Sequence, residues 1–489
     1  MRVDPSACLP GSSRPPLAGR SGTVAPPADG PATARSAPGS ERRAGARLWA
    51  AWLVTRALLT VLVLTGQTFG AQQNVQGDLR IYAGWAHALG HGGGLPVGDD
   101  RWQYPPAAAV AFVLPEFVHT LSMLSYRVAF VGLALIVDGM VTVALNRRTR
   151  AAAMFWVAGI TALGPVVLAR FDLLPAAAAM GTVLAMARGR PGRAGFHLGV
   201  GVLLKVWPVL LLVAVPRPAR GPGAGGTGRS MPEAAGRGAA GSWSWAGPRR
   251  LVGGMLGAAT VLGVVLAASG WWRDAFGFVG AQQARGLQVE AVAATPFVLA
   301  HMAGGPGPRY SYGSLQFDGP LARAVATACS LAEAAVIILA VAWWWLWTVR
   351  RPQGAPTPGA TAATLAERGL ALVLVVVVTA RVLSPQYLVW LLALVAASLA
   401  VGPAADGPGT RPWGSGRPAG RLATALVAVA LVSQVIYPWR YNDVVQGRIV
   451  LSVLLVARNL GMIMMCWWAL RAAAEPTPLP GRRPPGPAA

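Results

Sequence analysis

A polar segment between the first two strongly apolar stretches carries side chains that can do chemistry. It contains Asp78, Arg80 and Tyr82, and Tyr104-Pro105-Pro106 follows before the next apolar stretch. A carboxylate just outside a membrane helix can meet both water and a lipid-borne substrate, so Asp78 is a candidate general base. The structural alternative is that Asp78 caps a helix beginning near Leu79. Tyr104 fits a membrane interface, and the two prolines favour the start of a helix.

Charged side chains inside apolar stretches form a second set of candidates, since charge at membrane depth is costly and is often functional. They are Asp138, Arg170, Asp172, Lys205, Arg381 and Arg458. Because residues two apart do not share a helix face, Arg170 and Asp172 indicate a loop with Asp172 as N-cap, or a substrate contact. Lys205 lies about ten residues from either end of its stretch, so a phosphate or carboxylate partner is favoured over snorkelling.

The composition indicates the polytopic membrane protein that must position these residues. Of 489 residues 54% are hydrophobic and 12% charged, whereas a soluble domain carries roughly 25% charged residues. Long continuous apolar stretches predict an all-α bundle and exclude the short alternating strands of a β-barrel. The net charge of +24 comes from arginine clusters between these stretches, which is typical of cytoplasmic loops and not of nucleic-acid binding.

The order of segments predicts three regions. Residues 1–46 are expected to form a disordered cytoplasmic tail, residues 47–471 the transmembrane domain with a flexible cytoplasmic insert at 216–250, and residues 472–489 a disordered Pro-rich tail. The apolar stretches lie at about 48–69, 106–123, 127–146, 151–169, 172–187, 196–215, 251–269, 321–348, 369–383, 387–402, 422–438 and 449–471.

The arginine clusters conflict with a full crossing by every stretch. If all of them cross, the cluster Arg147–Arg150 falls outside, against the positive-inside rule. The stretches 106–123 and 196–215 contain polar residues and prolines and are candidates for re-entrant or interfacial helices. We therefore expect about ten to twelve transmembrane helices, with further helices in the extracytoplasmic loops.

Two later polar regions also interrupt the apolar pattern. Trp271 and Trp272 open a region whose amphipathic character predicts helices on the membrane surface, and Arg285 and Glu290 in it fit either a site or a plain surface. The stretch from Arg381 to Ser384-Pro385-Gln386-Tyr387 carries a charge, a proline and polar groups. Such a break is not needed in an anchor but suits a cavity wall.

The order of several short motifs along the chain resembles glycosyltransferase family 87. The motifs are, in sequence, Gly77-Asp78 and Tyr82, Tyr104-Pro105-Pro106, Arg170-Phe171-Asp172, the Gly-rich run into Lys205, Arg285-Gly286-Leu287-Gln288 and Ser384-Pro385-Gln386-Tyr387. The resemblance covers about residues 48–470 and is to an actinobacterial branch of these polyprenyl-phosphate-mannose-dependent mannosyltransferases. It implies a GT-C fold in the cell membrane with an extracytoplasmic active site.

The resemblance also implies roles for the candidate residues. Asp78 matches the aspartate that acts as base in the first outer loop, with Arg80, Tyr82 and Tyr104 around it. The leaving lipid phosphate needs cations, for which Lys205, Arg285 and Arg381 are candidates. The remaining expected substrate contacts are Arg170, Asp172 and Gln386. A single displacement would invert the anomeric centre, and no metal or other cofactor is expected, although Asp78 lacks the second acid of the paired motif common in GT-C enzymes.

Two other classes of function compete with an enzyme that moves a hexose from a polyprenyl-phosphate donor to a lipid or glycan acceptor. A transporter or flippase of lipid-linked sugar would also need charged membrane residues, but the chain shows no convincing internal repeat. A non-catalytic protein of envelope assembly would tolerate loss of Asp78. The sequence leaves the sugar and the acceptor open.

Overall fold

The computed structural model describes residues 38–66, 70–216, 246–350, 357–402 and 418–474. The chain divides into two units, Met1–Arg47 and Leu48–Ala489. Of the first unit only 38–47 are described, as the beginning of a helix that the sequence assigned to the tail. Most of that tail, most of the insert and the C-terminal tail after residue 474 lie outside the described residues. The architecture below belongs to the second unit.

The described chain is mainly helical, which confirms the predicted helical class, while membrane insertion stays a prediction. Within the described residues, seven helices are long and apolar enough to cross a membrane. They are α1 (Pro38–Thr65), α4 (Tyr126–Asn146), α9 (Ala246–Ser269), α12 (Pro320–Arg350), α13 (Pro358–Thr379), α15 (Pro418–Gln434, continued as a π-helical turn to Trp439) and α17 (Ile449–Ala474).

The other helices are shorter. They are α2 (Gly77–Gly90), α3 (Ala107–Leu121), α5 (Arg150–Leu163), α6 (Leu173–Met186), α7 (Pro191–Leu204), α8 (Leu210–Ala214), α10 (Phe278–Gln283), α11 (Thr295–Met302), α14 (Leu388–Val401) and α16 (Tyr441–Val445). Each of the twelve predicted apolar stretches therefore contains an α-helix. The count of ten to twelve crossings stays a prediction, because several of these helices are shorter than a membrane is thick.

Local sequence explains where several helices begin. The side chains of Ser125 and Thr149 accept hydrogen bonds from the backbone N–H groups of Val128 and Ala152, at the start of α4 and α5. Thr357 caps α13 in the same way, with Pro358 in the first turn. Short polar side chains at these positions satisfy donors that the helix itself leaves unpaired.

The loops between helices collect at two ends of the bundle with different chemistry. At one end the guanidinium groups of Arg147, Arg148 and Arg190 lie near Arg188, and together with burial they lower its pKa. The first residues of α9 and α13 also lie there, since Arg250 and Pro358 come close to Gly192 and Gly189. We call this the arginine end. The opposite end carries the polar loops that form a cavity.

Helix α3 lies at the cavity end. Gln103, just before it, lines the cavity, while Arg127, the second residue of α4, donates to Gln76 Oε1 at 2.7 Å beside the same cavity. The chain has therefore returned to the cavity end by the end of α3. This geometry agrees with the interfacial reading of stretch 106–123, and it leaves Arg147–Arg150 at the opposite end from Asp78.

Helices α7 and α9 cross at very short distance and so fix the end of α7. A Cβ atom on Gly195 would overlap the carbonyl oxygen of Leu251, and one on Gly254 would overlap that of Gly192. Small residues permit this close backbone approach. Helix α7 ends at Leu204, where Lys205 adopts an extended backbone, before a 3₁₀ turn at Trp207–Val209 leads into α8. The stretch 196–215 is therefore broken at Lys205.

A small antiparallel sheet at the cavity end was not predicted. Strands β1 (Leu287–Gln288), β2 (Arg309–Ser311) and β3 (Ser314–Phe317) pair in the order β1–β3–β2. The turn between β2 and β3 places Tyr312 and Gly313 in the left-handed region, at φ of 47° and 72°. These strands are too short to produce a recognisable alternation of polar and apolar residues.

Candidate active site

The cavity has a volume of about 520 Å³, within the range of roughly 300–1,000 Å³ for small-molecule sites. Its walls come from several loops that are distant in sequence, at the beginning of α2, before α3 and α6, after α7, around the sheet, before α14 and around α16. The charged residues that line it are Asp78, Arg101, Arg170, Lys205, Arg285 and Glu290. The fold thus brings together most of the residues that the sequence singled out.

Asp78 lies in the first turn of α2 and lines the cavity. Gln76 occupies the N-cap position, and no side chain caps this helix. The carboxylate instead forms an ion pair with Arg170. The capping alternative for Asp78 is therefore wrong, and its side chain remains about 30% exposed.

Asp172 occupies the N-cap position of α6, as predicted for a helix start, but its carboxylate does not cap the helix. Oδ1 accepts hydrogen bonds from Lys205 Nζ at 2.6 Å and from Trp390 Nε1 at 2.8 Å. Asp172 is almost fully buried. This pairing confirms the carboxylate partner expected for Lys205.

The ammonium group of Lys205 lies among four aromatic rings. Its Nζ is 5.1–5.6 Å from the ring centroids of Tyr104, Phe171, Tyr387 and Trp390. Ring faces attract a cation at this distance. Asp172 and the rings together hold the only lysine of the chain at the cavity wall, away from either surface of the bundle.

Two tyrosines form an aromatic layer next to the catalytic candidates. Tyr82 stacks on Phe112 with centroids 4.3 Å apart, and Tyr104 meets Phe171 edge-on at 4.9 Å. Burial raises the pKa of both phenols well above their ordinary value. Both therefore stay protonated and can act as hydrogen-bond donors at physiological pH.

The ion pairs of the lining residues leave one cation uncompensated. Arg101 forms two hydrogen bonds with Asp99 at 2.7 Å, and Arg170 and Lys205 pair with Asp78 and Asp172. Arg285 makes no ion pair within the described residues. Its Nη2 donates to Ser314 Oγ at 3.2 Å, and its Nε is buried without a partner. Arg285 is therefore the strongest candidate for binding an anion.

Three of the predicted substrate contacts, Arg80, Asp172 and Arg381, lie outside the lining of the cavity. Arg80 is exposed on α2, although Asp78 and Tyr82 line the cavity, because its position on the helix turns it away from them. Arg381 donates from Nη2 to the carbonyl oxygen of Gln282, in the last turn of α10, at 2.8 Å. Gln386 does line the cavity, and its Oε1 is buried without a partner.

Two other charged candidates have partners that the sequence did not suggest. Asp138 on α4 binds Arg56 Nε at 2.8 Å and accepts from the indoles of Trp52 and Trp156. This buried cluster joins α1, α4 and α5 away from the cavity. Arg458 on α17 binds Glu290 at 3.1 Å, and Glu290 lines the cavity.

Sequence reasoning missed one whole wall of the cavity. Gln73, Asn74, Tyr437, Tyr441 and Asn442 line it. The available signal was the run Tyr437 to Asn442, where aromatic and polar residues interrupt the second-last apolar stretch. The same run contains a charged residue, Arg440.

No protein-family model matches this chain, and neither the curated proteins nor the solved structures include a match. Among the described residues, no three His, Cys, Asp or Glu side chains converge as a metal site. The expectation of a metal-independent reaction stays a prediction.

Proposed function

We propose that this chain is an integral-membrane glycosyltransferase. It moves a hexose, with mannose as the first candidate, from a polyprenyl-phosphate donor to an extracytoplasmic lipid or glycan acceptor. The observation that carries the proposal is the pairing pattern in the cavity, where the carboxylate of Asp78 shares one enclosed space with the uncompensated guanidinium of Arg285. Transfer with a phosphate leaving group needs a base and a cation of this kind.

The position of the cavity supports a lipid-linked donor. It lies among polar loops at one end of a bundle of long apolar helices, so a polyprenyl tail can stay beside the helices while its sugar phosphate reaches the cavity. The arginine end lies opposite. By the positive-inside rule, this arrangement supports the proposal that the cavity opens on the extracytoplasmic side.

The reaction is a single displacement. An acceptor hydroxyl attacks the anomeric carbon as the bond from that carbon to the phosphate oxygen breaks. The hydroxyl proton passes to Asp78, and polyprenyl phosphate leaves with its additional negative charge near Arg285. Because attack and departure occur on opposite faces, a β-linked donor gives an α-linked product.

Arg170 connects the proton transfer to Asp78 with the departure of the phosphate. In the structure it pairs with the carboxylate of Asp78. A donor phosphate in the cavity competes for the same guanidinium. Arg170 shifting toward the phosphate would free Asp78 to accept the proton when the donor is bound.

The function is tested with the full chain purified and reconstituted in liposomes with radiolabelled mannosyl-phosphopolyprenol and extracted envelope lipids and glycans. The proposal expects the label to move into an acceptor while unlabelled polyprenyl phosphate accumulates. Glucosyl and arabinosyl donors provide the comparison for the sugar. Label that crosses the bilayer without changing its chemical form would favour the flippase, and neither event with any donor would favour a non-catalytic protein.

A further inference from the structure

The cavity has two walls of different chemistry. One carries the cations Arg170, Lys205 and Arg285. The other, which we call the neutral wall, consists of Gln73, Asn74, Tyr437, Tyr441 and Asn442. A phosphate ester suits the first wall, and the second offers only amides and phenols.

The neutral wall is fixed by contacts between two segments far apart in sequence. The backbone N–H groups of Gln72 and Gln73 donate to the carbonyl oxygens of Trp439 and Pro438, each at 3.0 Å. Gln73 Nε2 donates to Asn442 Oδ1 at 2.6 Å. This side-chain bond leaves the Nδ2 group of Asn442 to donate and Oε1 of Gln73 to accept toward the cavity.

The charges near this wall are all compensated. Asp443 is bound by Arg440 at 2.9 Å and accepts a hydrogen bond from Gln72 at 3.2 Å. Glu290 is bound by Arg458 at 3.1 Å. The rings of Tyr437 and Tyr441 meet edge-on at 5.3 Å and add an apolar surface with polar tips.

We infer that the neutral wall binds a neutral, hydroxyl-rich group, the sugar of a glycan or glycolipid acceptor, in preference to an anionic headgroup. Each sugar hydroxyl both donates and accepts, as do the amides and phenols of this wall, and aromatic rings pack on the apolar faces of sugars. Naming this sugar an acceptor rests on the proposed function, whereas the binding of a neutral sugar does not.

The test measures binding of octyl α-mannoside and of farnesyl phosphate to the purified full chain in detergent. The variant Asn442→Asp keeps an oxygen for Gln73 but removes the donor and adds charge, and Asn442→Ala removes the amide. Gln446→Ala, an exposed amide truncation four residues later, is the matched control. Both Asn442 variants should weaken mannoside binding at least tenfold and leave farnesyl phosphate binding within twofold. Arg285→Gln should do the reverse.

Three results would overturn the inference. The wild-type protein could fail to bind the mannoside, the Asn442 variants could bind it as tightly as Gln446→Ala does, or octyl phosphate could compete with the mannoside for the neutral wall. Thermal unfolding of each variant separates lost binding from lost folding. If mannoside binding depends on Asn442 but no sugar transfer occurs in liposomes, the proposed function is contradicted and the sugar-binding site is still supported.

Discussion

At the scale of single residues, pairing separates groups that hold the fold from groups that are free for a ligand. Lys205 and Asp172 form a nearly buried ion pair, while Arg285 faces the cavity without an ion pair in the described chain. The sequence offered Lys205, Arg285 and Arg381 as equal candidates for the phosphate. Only distances between residues remote in sequence can rank them.

The first prediction concerns Arg285. Arg285→Gln removes the uncompensated charge, so the KM for the polyprenyl-phosphate donor should rise about tenfold to hundredfold, as for loss of a charge-assisted hydrogen bond. The unfolding temperature should barely change because no ion pair is lost. Donor titration in liposomes measures the KM, and thermal unfolding measures the unfolding temperature. An unchanged KM would remove Arg285 from the phosphate site.

Lys205 should behave in the opposite way. Lys205→Met leaves the buried carboxylate of Asp172 without its cation, which costs about 3–5 kcal/mol for broken buried pairs. We expect a lower unfolding temperature and poor yield in detergent. The double variant with Asp172→Asn should recover part of the loss. If Lys205→Met is as stable as wild type and only transfer falls, Lys205 acts on the substrate instead of the fold.

At the scale of elements, the breaks between helices position the site. Helix α7 stops at Lys205, α6 starts at Asp172, and the chain turns from α15 into α16 at the neutral wall. The sequence predicted the helical stretches well because apolar length is a local signal. It predicted neither the three-stranded sheet nor the neutral wall, since both depend on short segments brought together by the bundle.

Glu290 connects the loop after β1 to α17 and gives a prediction for pH. Burial raises the pKa of its carboxyl to about 7 from an ordinary 4.5, although Arg458 opposes the shift. The folded protein then binds the proton more tightly than the unfolded chain, so this contribution is complete below pH 4.5 and is lost as pH rises to about 7. The unfolding temperature should fall across this range.

The control for this prediction is Glu290→Gln, which cannot titrate and should show a flatter profile in the same detergent. Asp99 does not interfere, because its pKa is lowered to about 2 by Arg101 and burial opposes that shift. Its contribution is lost only when pH falls below about 4. Equal slopes for wild type and Glu290→Gln would show that another group titrates.

At the scale of the whole molecule, the arginines around Arg147 and Arg188 lie at the end of the bundle away from the cavity. Composition and the arginine clusters predicted this polarity, but counting stretches gave the wrong side for Arg147–Arg150 if all of them crossed. The position of α3 at the cavity end removes the conflict. A sequence cannot give that result by hydropathy alone, because the outer face of α3 exposes Val110, Leu114, Phe117 and Leu121 and is as apolar as a crossing helix.

Cysteine labelling tests this arrangement in cells. In a chain without its native cysteines, Gly98→Cys and Ser122→Cys should react with a membrane-impermeant maleimide from the same side. Arg147→Cys should react only after the membrane is opened. Residues 98 and 122 flank α3, so labelling of Ser122→Cys together with Arg147→Cys would mean that α3 crosses the membrane.

The most direct test of the account is the rate of sugar transfer by Asp78→Asn against the matched variant Asp100→Asn, an exposed aspartate outside the cavity lining. The account predicts that Asp78→Asn lowers the single-turnover rate about 10²–10⁴-fold, as for loss of a general base, while donor binding is retained and Asp100→Asn stays at the wild-type rate. Equal rates for the two variants would contradict it and remove Asp78 from the chemistry.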